Sequence, residues 1–232
     1  MKLIIFSDIH GNSYALKEFI RQIKAEQHDY LIFCGDIFGY YYNQKEIITE
    51  LKNLDNLIWL KGNHDEYFLK LYAQEMDEQY YIQNYGHSYC NLIERFDKDE
   101  VQLIAGHPSE NMITTEHGKI GIFHGTPENS LEGRLYPDNP ILNLEAYKKY
   151  DIVILGHTHC RMVRKVGDTL VLNSGSLGQP RDGSGYGYAI LNTESKEVEF
   201  KNIEFDQKLL YEQIEMYDND LKKLNEVLER GK

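Results

Sequence analysis

Carboxylate and imidazole side chains gather in five short blocks of this chain: Asp8-Ile-His10, Gly35-Asp36, Gly62-Asn63-His64-Asp65, His124-Gly125 and Gly156-His157-Thr-His159. A divalent transition metal in a mixed nitrogen and oxygen site takes these donors. Residues i and i+2 of an extended chain share a side, so Asp8 can reach an ion together with His10, and His157 together with His159. Two ions about 4 Å apart call for a shared carboxylate and can grip both oxygens of an in-line displacement at phosphorus. Asp36 is the candidate for that bridge. A single Asp-x-His or His-x-His is weak, because such pairs arise by chance and mark solvated turns. Five blocks in this order, each after an apolar run, point to a metal centre. The glycines beside them (Gly35, Gly62, Gly125, Gly156) permit close backbone approach, although ordinary strand-end turns use glycine as well.

These blocks need strands to carry them. Leu3-Ile-Ile-Phe6 is too short for a helix and too apolar for a half-exposed strand, so it predicts a strand covered on both faces. Ala15, Leu16, Phe19, Ile20 and Ile23 then fall at helical spacing, with Asn12 or Ser13 as cap. A strand at 30–34, a helix near 44–52 and a strand at 57–60 repeat the alternation, which predicts right-handed crossovers and a largely parallel sheet. Segment 66–99 is charged, rich in tyrosine and helical in pattern; it reads as a cap-like insertion. Strands are predicted again at 112–115, 120–123, 152–155, 162–166, 170–172, 188–191 and 198–200, with a hairpin turn at Gly167-Asp168. Leu210, Ile214, Tyr217, Leu221, Leu224 and Leu228 predict one closing amphipathic helix over about 206–230. The expected architecture is α/β: a single domain over 1–232, a two-sheet sandwich with flanking helices, its site at the carboxyl ends of the strands.

Composition narrows the partners. The 232 residues are 41% hydrophobic and 12% aromatic, enough for a full core, and carry a formal net charge of −12. Binding of duplex nucleic acid rests on Lys and Arg displacing counterions, so it is excluded as an expectation. No window resembles a membrane span or a signal peptide. Three scattered cysteines, Cys34, Cys90 and Cys160, make no disulfide framework, and packing is the better reading for Cys34 and Cys160 than activated thiols. A cytoplasmic protein is expected. Nothing in the sequence speaks to oligomeric state.

The five blocks together resemble the calcineurin-like metallophosphoesterase superfamily, over Lys2 to about Arg181. Gly35-Asp-Ile-Phe-Gly-Tyr40, His124-Gly-Thr-Pro127 and Asn173-Ser-Gly-Ser176 with Gln179-Pro-Arg181 are similar to its small single-domain bacterial and archaeal phosphodiesterase branch. Ser174 departs from that pattern, where relatives often carry proline, which bears on the rigidity of its loop. The resemblance implies that Asp8, His10, Asp36 and His159 hold one metal and Asp36, Asn63, His124 and His157 a second. It implies that His64 faces the phosphate and protonates the leaving oxygen or stabilises charge there. Asp65 either orients His64 or caps the helix that opens the insertion.

The cofactors so implied are two divalent transition-metal ions, manganese first, with iron, zinc, cobalt or nickel also suited to the donors. Their charge makes the crevice positive inside an acidic protein. The implied reaction is hydrolysis of a small phosphodiester, such as a dinucleoside polyphosphate or cyclic nucleotide, by attack of a metal-bridging hydroxide. A phosphomonoesterase or a serine/threonine protein phosphatase would use the same site. A catalytically silent metal-binding scaffold is the non-enzyme alternative, against which stands the intactness of every block.

For substrate binding, Tyr40 is expected to line the crevice or pack under the next helix. Arg134 and Arg181 are candidates to hold phosphate through their planar donor forks, with surface ion pairs as the plain alternative. Tyr81, Tyr85 and Tyr89 share one helical face and read as core. His107 and His117 have no partner block and read as surface or core histidines.

Overall fold

The computed structural model describes residues 1–89, 95–140, 143–218 and 222–229, without the side chains of 222 and 223. Strands β1 (Lys2–Phe6), β2 (Tyr30–Phe33) and β3 (Leu57–Trp59) alternate with helices α1 (Ser13–Ile23) and α2 (Gln44–Lys52). Helices α3 (Asn63–Tyr72), α4 (Glu78–Tyr85) and α5 (Lys98–Gly106) follow, then β4 (Glu110–Thr115) and β5 (Gly118–Phe123). The short α6 (Leu144–Tyr147), β6 (Ile152–Leu155), β7 (Arg161–Val166), β8 (Thr169–Ser174), β9 (Gly187–Asn192) and β10 (Val198–Asn202) complete the sandwich, and α7 (Lys208–Tyr217) and α8 (Lys222–Glu229) close the described chain.

Two five-stranded sheets form, in the orders β10-β9-β1-β2-β3 and β4-β5-β6-β8-β7. The two-sheet α/β sandwich is as expected, but each sheet is mixed, not largely parallel. The run β1-β2-β3 and the run β5-β6-β8 are parallel, and β9, β10, β4 and β7 pair antiparallel at the flanks. The parallel runs are the ones whose carboxyl ends must meet, since they carry the ligand blocks.

Beyond Lys2 both faces of β1 are covered, which is why Leu3 to Phe6 carries no polar residue. Leu3 and Ile5 join Ile32, Ile122, Ile152, Ile154 and Leu172 between the sheets, while Ile4 and Phe6 pack outward against Leu16 and Phe19 of α1. Truncating one of these core side chains to alanine costs about 2–5 kcal/mol. Asn12 caps α1 by accepting from the Ala15 amide at 3.1 Å. Gly167 at φ 60° makes the two-residue turn between β7 and β8, whose last pair is Val166 and Thr169.

Two boundaries differ from expectation. The helical segment starts at Asn63, inside the third block, and runs with breaks to Gly106 instead of 66–99; residues 90–94 lie outside the description. Starting α3 at Asn63 places a candidate ligand and His64 in the first helical turn. The single closing helix is instead two, α7 and α8, with Leu221 and Arg230 outside the described residues. The cause of the break is Asp218, whose backbone leaves the helix at φ −145°. Its buried carboxylate accepts from the Tyr42 hydroxyl at 2.5 Å and from the His87 amide and Nδ1 at 3.0 and 2.7 Å. Among the described residues no helix is long and apolar enough to cross a membrane.

Candidate functional site

All five blocks converge where the two parallel runs end. Asp8, His10, Asp36 and His159 place one donor atom each within 4.8 Å of one another, and so do Asp36, His124 and His157. Asn63 joins the second group, with Oδ1 3.0 Å from His124 Nε2. Asp36 belongs to both, and every member is buried. The seven ligands expected from the sequence are therefore brought together as two donor sets sharing one carboxylate.

The local route differs from the strand alternation that suggested it. β1 ends at Phe6 and β6 at Leu155, so Asp8, His10, His157 and His159 all lie beyond the strands. Each is in the left-handed region, at φ 55°, 50°, 66° and 60°, and Asp36 is there too at 70°. Non-glycine residues rarely adopt that region, and Asp and His are among those that do so most often. The strain this stores is held by the backbone of neighbouring loops: the Asp8 amide donates to Gly35 O, and the Leu177 and Gly178 amides donate to Ser7 O and Asp8 O. Ser174, the departure from the family pattern, is buried in β8, and Asn173 beside it donates to Gly156 O at 2.6 Å, which secures the His157 loop.

The imidazoles are oriented by carbonyls. Nδ1 of His10 lies 2.6 Å from Phe38 O, Nδ1 of His159 2.6 Å from Gln179 O and Nδ1 of His124 2.6 Å from Cys34 O. A carbonyl can only accept, so each Nδ1 carries the proton and each Nε2 presents a lone pair. Nε2 of His10 and Nε2 of His159 are nevertheless 3.1 Å apart. Asp36 Oδ2 stands 3.7 Å from His10 Nε2 and 3.4 Å from His124 Nε2, and Asp8 Oδ1 stands 3.4 Å from His159 Nε2. Neither of these carboxylate oxygens has a hydrogen-bond donor, although both are buried. Imidazole lone pairs crowded together beside two carboxyl groups fit a cation, which would also displace any carboxyl proton. The donor set thus suits transition-metal ions.

Burial sets the protonation. It pushes the Asp8 carboxyl up to about 7 and raises Asp36 well above the usual range, where the Asp65 carboxylate adds to the effect. It pushes His10 down to about 3 and His157 to about 2, and lowers His64 and His159 strongly, so these rings are neutral near pH 7.

Gly62 shows how closely the site is built. Its backbone is extended at φ −96°, open to any residue, yet an added Cβ would collide with Asp36 Oδ1. The His64 amide donates to that same Oδ1 at 2.8 Å, fixing Asp36 from the first turn of α3.

Of the two readings of Asp65, the structure is nearer the helix cap than the group that orients His64. Its carboxylate accepts from the amides of Asp36, Ile37, Phe38 and Gly62 at 3.0, 2.7, 3.2 and 2.9 Å. It sits at the third position of α3, with Gly62 as the cap, and ties the Asp36 loop to that helix. With both oxygens so engaged, it is not the group on the His64 ring. That group is Tyr89, whose hydroxyl lies 2.6 Å from His64 Nδ1. Tyr89 is fully buried, as its core reading expected, but not on the helical face it was expected to share, since α4 ends at Tyr85 and Tyr89 follows in a turn; no sequence signal links it to a histidine 25 residues away.

The remaining candidates line the mouth. Tyr40 is buried against His10 and His64, with ring centroids 4.9 and 5.6 Å away, and its hydroxyl accepts from Arg181 at 3.1 Å. Arg181 also donates to Gln179 Oε1 at 2.9 Å. Arg134 Nε donates to His157 Nε2, in the second donor set, at 2.9 Å. Among the described residues neither guanidinium is within ion-pair distance of a carboxylate, so the plain reading of both as surface ion pairs is not what the structure has. Tyr67, absent from the sequence-based candidates, and Tyr85, read there as core but only half-buried, complete the aromatic surround of His64 at 5.4 and 4.7 Å. Cys34 is buried with its thiol pushed up by burial, and His107 stacks on Trp59 at 4.1 Å, both as packing elements.

Comparison with known proteins agrees with this geometry. Residues 1–196 match the family model of the calcineurin-like phosphoesterase superfamily domain. The chain is 28% identical over 205 residues to "Phosphodiesterase MJ0936" of Methanocaldococcus jannaschii, covering 85% of this chain and 96% of that protein. It is 28% identical over 233 residues to protein MJ0912 of the same organism, covering 91% of each. Among solved structures, a metallophosphoesterase from Sphaerobacter thermophilus superposes with a TM-score of 0.77 at 22% identity, covering 97% of this chain and 98% of that one.

Proposed function

Because this chain belongs to the calcineurin-like phosphoesterase superfamily and is a metal-dependent phosphoesterase, we propose that it hydrolyses a small phosphodiester at a dinuclear transition-metal centre, with manganese the first candidate. The observation that carries this reading is the convergence of the unprotonated His10 and His159 Nε2 atoms with the orphaned Asp8 Oδ1 and Asp36 Oδ2. Asp8, His10, Asp36 and His159 would hold one ion, and Asp36, Asn63, His124 and His157 the other. The ions, when bound, supply positive charge to the phosphate oxygens and acidify water for attack at phosphorus.

The chain's own residues do the rest. With Nδ1 turned to Tyr89, Nε2 is the His64 atom available to the leaving oxygen. Arg134, bonded to His157, and Arg181, bonded to Tyr40 and Gln179, would bind non-bridging phosphate oxygens through their forks. Tyr40 and Tyr85 give an aryl or nucleoside group a ring surface beside His64. Buried neutral walls exclude water and strengthen each of these contacts.

Purified protein supplied with manganese is expected to cleave a bis-aryl phosphate faster than an aryl monoester or a phosphopeptide, and a chelator is expected to abolish that activity. Failure to cleave any of them, or indifference to the chelator, removes the reading; preference for the monoester or the phosphopeptide overturns its diester part.

Metal binding should also release protons in a pH-dependent way. In the metal-free protein Asp8 takes up its proton as pH falls through about 7, whereas His10 and His157 stay neutral far below that. A metal must displace the Asp8 proton, and the raised Asp36 adds to the same effect, so affinity falls as pH drops through that midpoint. Calorimetry in buffers of different ionisation enthalpy should find more protons released per centre below the midpoint than above it. Equal release at both would show that Asp8 is already ionised.

A further inference from the structure

The insertion after α3 supplies a group that the five ligand blocks do not contain. From the geometry we infer that Tyr89 is a positioning residue that holds His64 in the Nε2–H tautomer, so that His64 offers an N–H to the leaving oxygen. This rests on the reading of His64 given above.

Three observations carry it. First, the Tyr89 hydroxyl is fully buried, and among the described residues its hydrogen-bond partner is His64 Nδ1 at 2.6 Å. A hydroxyl can turn either way, but if Nδ1 kept the proton the buried phenolic hydrogen would have no acceptor among the described residues. The phenol therefore donates, Nδ1 accepts, and the ring's one proton goes to Nε2. This is the opposite of His10, His124 and His159, which face carbonyls through Nδ1 and so keep the proton there. The partner's chemistry separates the histidine that must donate from those that must accept a metal.

Second, the space around Nδ1 is closed. Gly39 stands against the ring with φ 88°, and an added Cβ would lie 2.6 Å from Nδ1 and 3.3 Å from the Tyr89 hydroxyl. Tyr85 and Tyr81 pack on Tyr89 at ring distances of 6.2 and 5.2 Å. Third, the backbone leading to Tyr89 is anchored from outside the domain match. Asp218, at the end of α7, holds His87 through its amide and Nδ1 and holds Tyr42 through its hydroxyl, on the two sides of the site. The α7 and α8 residues Leu210, Ile214, Leu224 and Leu228 pack with Tyr40, Tyr41 and Tyr42. The C-terminal helices thus brace the turn that presents Tyr89.

His64 acts here as a neutral hydrogen-bond donor and retains its proton, so no tyrosinate forms. The test is Tyr89→Phe, which keeps the ring and its packing. In zinc-loaded, 15N-labelled protein, nitrogen–proton correlation spectra with His64→Gln as the assignment control should show His64 protonated at Nε2, and Tyr89→Phe should shift it toward a mixture of tautomers. Across aryl diesters of decreasing leaving-group acidity, Tyr89→Phe should lower kcat by up to about ten-fold on the poorest leaving group, with KM and metal content unchanged. The same substitution in a His64→Gln background should have no further effect.

A wild-type His64 protonated at Nδ1 overturns the inference, as does a Tyr89→Phe enzyme equal to wild type on every ester or a deficit that persists without His64. Should the wild type hydrolyse none of the esters, the functional reading fails, and the spectra still decide the tautomer.

Discussion

Asp36→Asn is expected to remove metal from both donor sets and to lower turnover by about a thousand-fold, as loss of several kcal/mol of charge stabilisation requires. Asp36 is the one carboxylate common to both sets. The amide is isosteric and its oxygen can still accept from the His64 N–H, which Asp36 Oδ1 accepts at 2.8 Å, so the first turn of α3 stays in place. What changes is the other atom. Oδ2 lies 3.7 and 3.4 Å from two imidazole lone pairs and has no donor; an NH2 there points protons at His10 and His124 in the place of an anion.

The metal-free variant should at the same time gain stability. Burial raises the Asp36 pKa in the folded protein above its unfolded value of 3.8, so the contribution of this group is fully present below that value and is lost as pH rises through the folded pKa. Asparagine has nothing to ionise, so its advantage should be absent in acid and grow toward neutral pH. Metal content by elemental analysis, melting temperature against pH without metal, and turnover check the three parts. Retention of two metals with turnover within ten-fold of wild type would refute the bridging assignment.

His64→Ala is expected to lower kcat by about two to three orders of magnitude with both metals retained, the loss typical of removing one aimed donor or general acid. The separation is structural. His64 grips Asp36 through its backbone amide, which alanine keeps, while the ring lies among Tyr40, Tyr67, Tyr85 and Tyr89. Alanine leaves a hole in that aromatic cluster, so His64→Gln, which fills more of it, separates lost chemistry from lost packing. KM should hold if, as proposed, the ring acts on the leaving oxygen and the arginines hold the phosphate. The deficit should shrink as the leaving group becomes more acidic and needs the donor less. Loss of metals in His64→Ala and His64→Gln alike would move His64 into the ligand set; unchanged turnover in both would remove it from the reaction.

The sequence alone determined which donors the fold gathers and where in the chain they stand. Metal chemistry restricts donors to a few residue types, and an apolar run followed by Asp, His or Asn is a local pattern that needs no fold to be seen. The alternation of buried strands and amphipathic helices was legible for the same reason. The covered faces of β1 and the inward face of α1 leave their periods in the residues.

Only the tertiary structure decided how the donors meet and who assists them. Asp8 and His10 come together through left-handed loop residues held by neighbouring carbonyls and amides, not through strand alternation. Asp65, adjacent in sequence to His64, is drawn off by four backbone amides, and Tyr89, 25 residues away, takes the ring nitrogen. Asp218 turns a regular heptad-like run into two helices because its buried carboxylate finds Tyr42 and His87. Donor identity is a property of single residues, whereas hydrogen-bond partnership depends on which distant groups packing brings within 3 Å, roughly the reach of one such bond, and no local pattern encodes that.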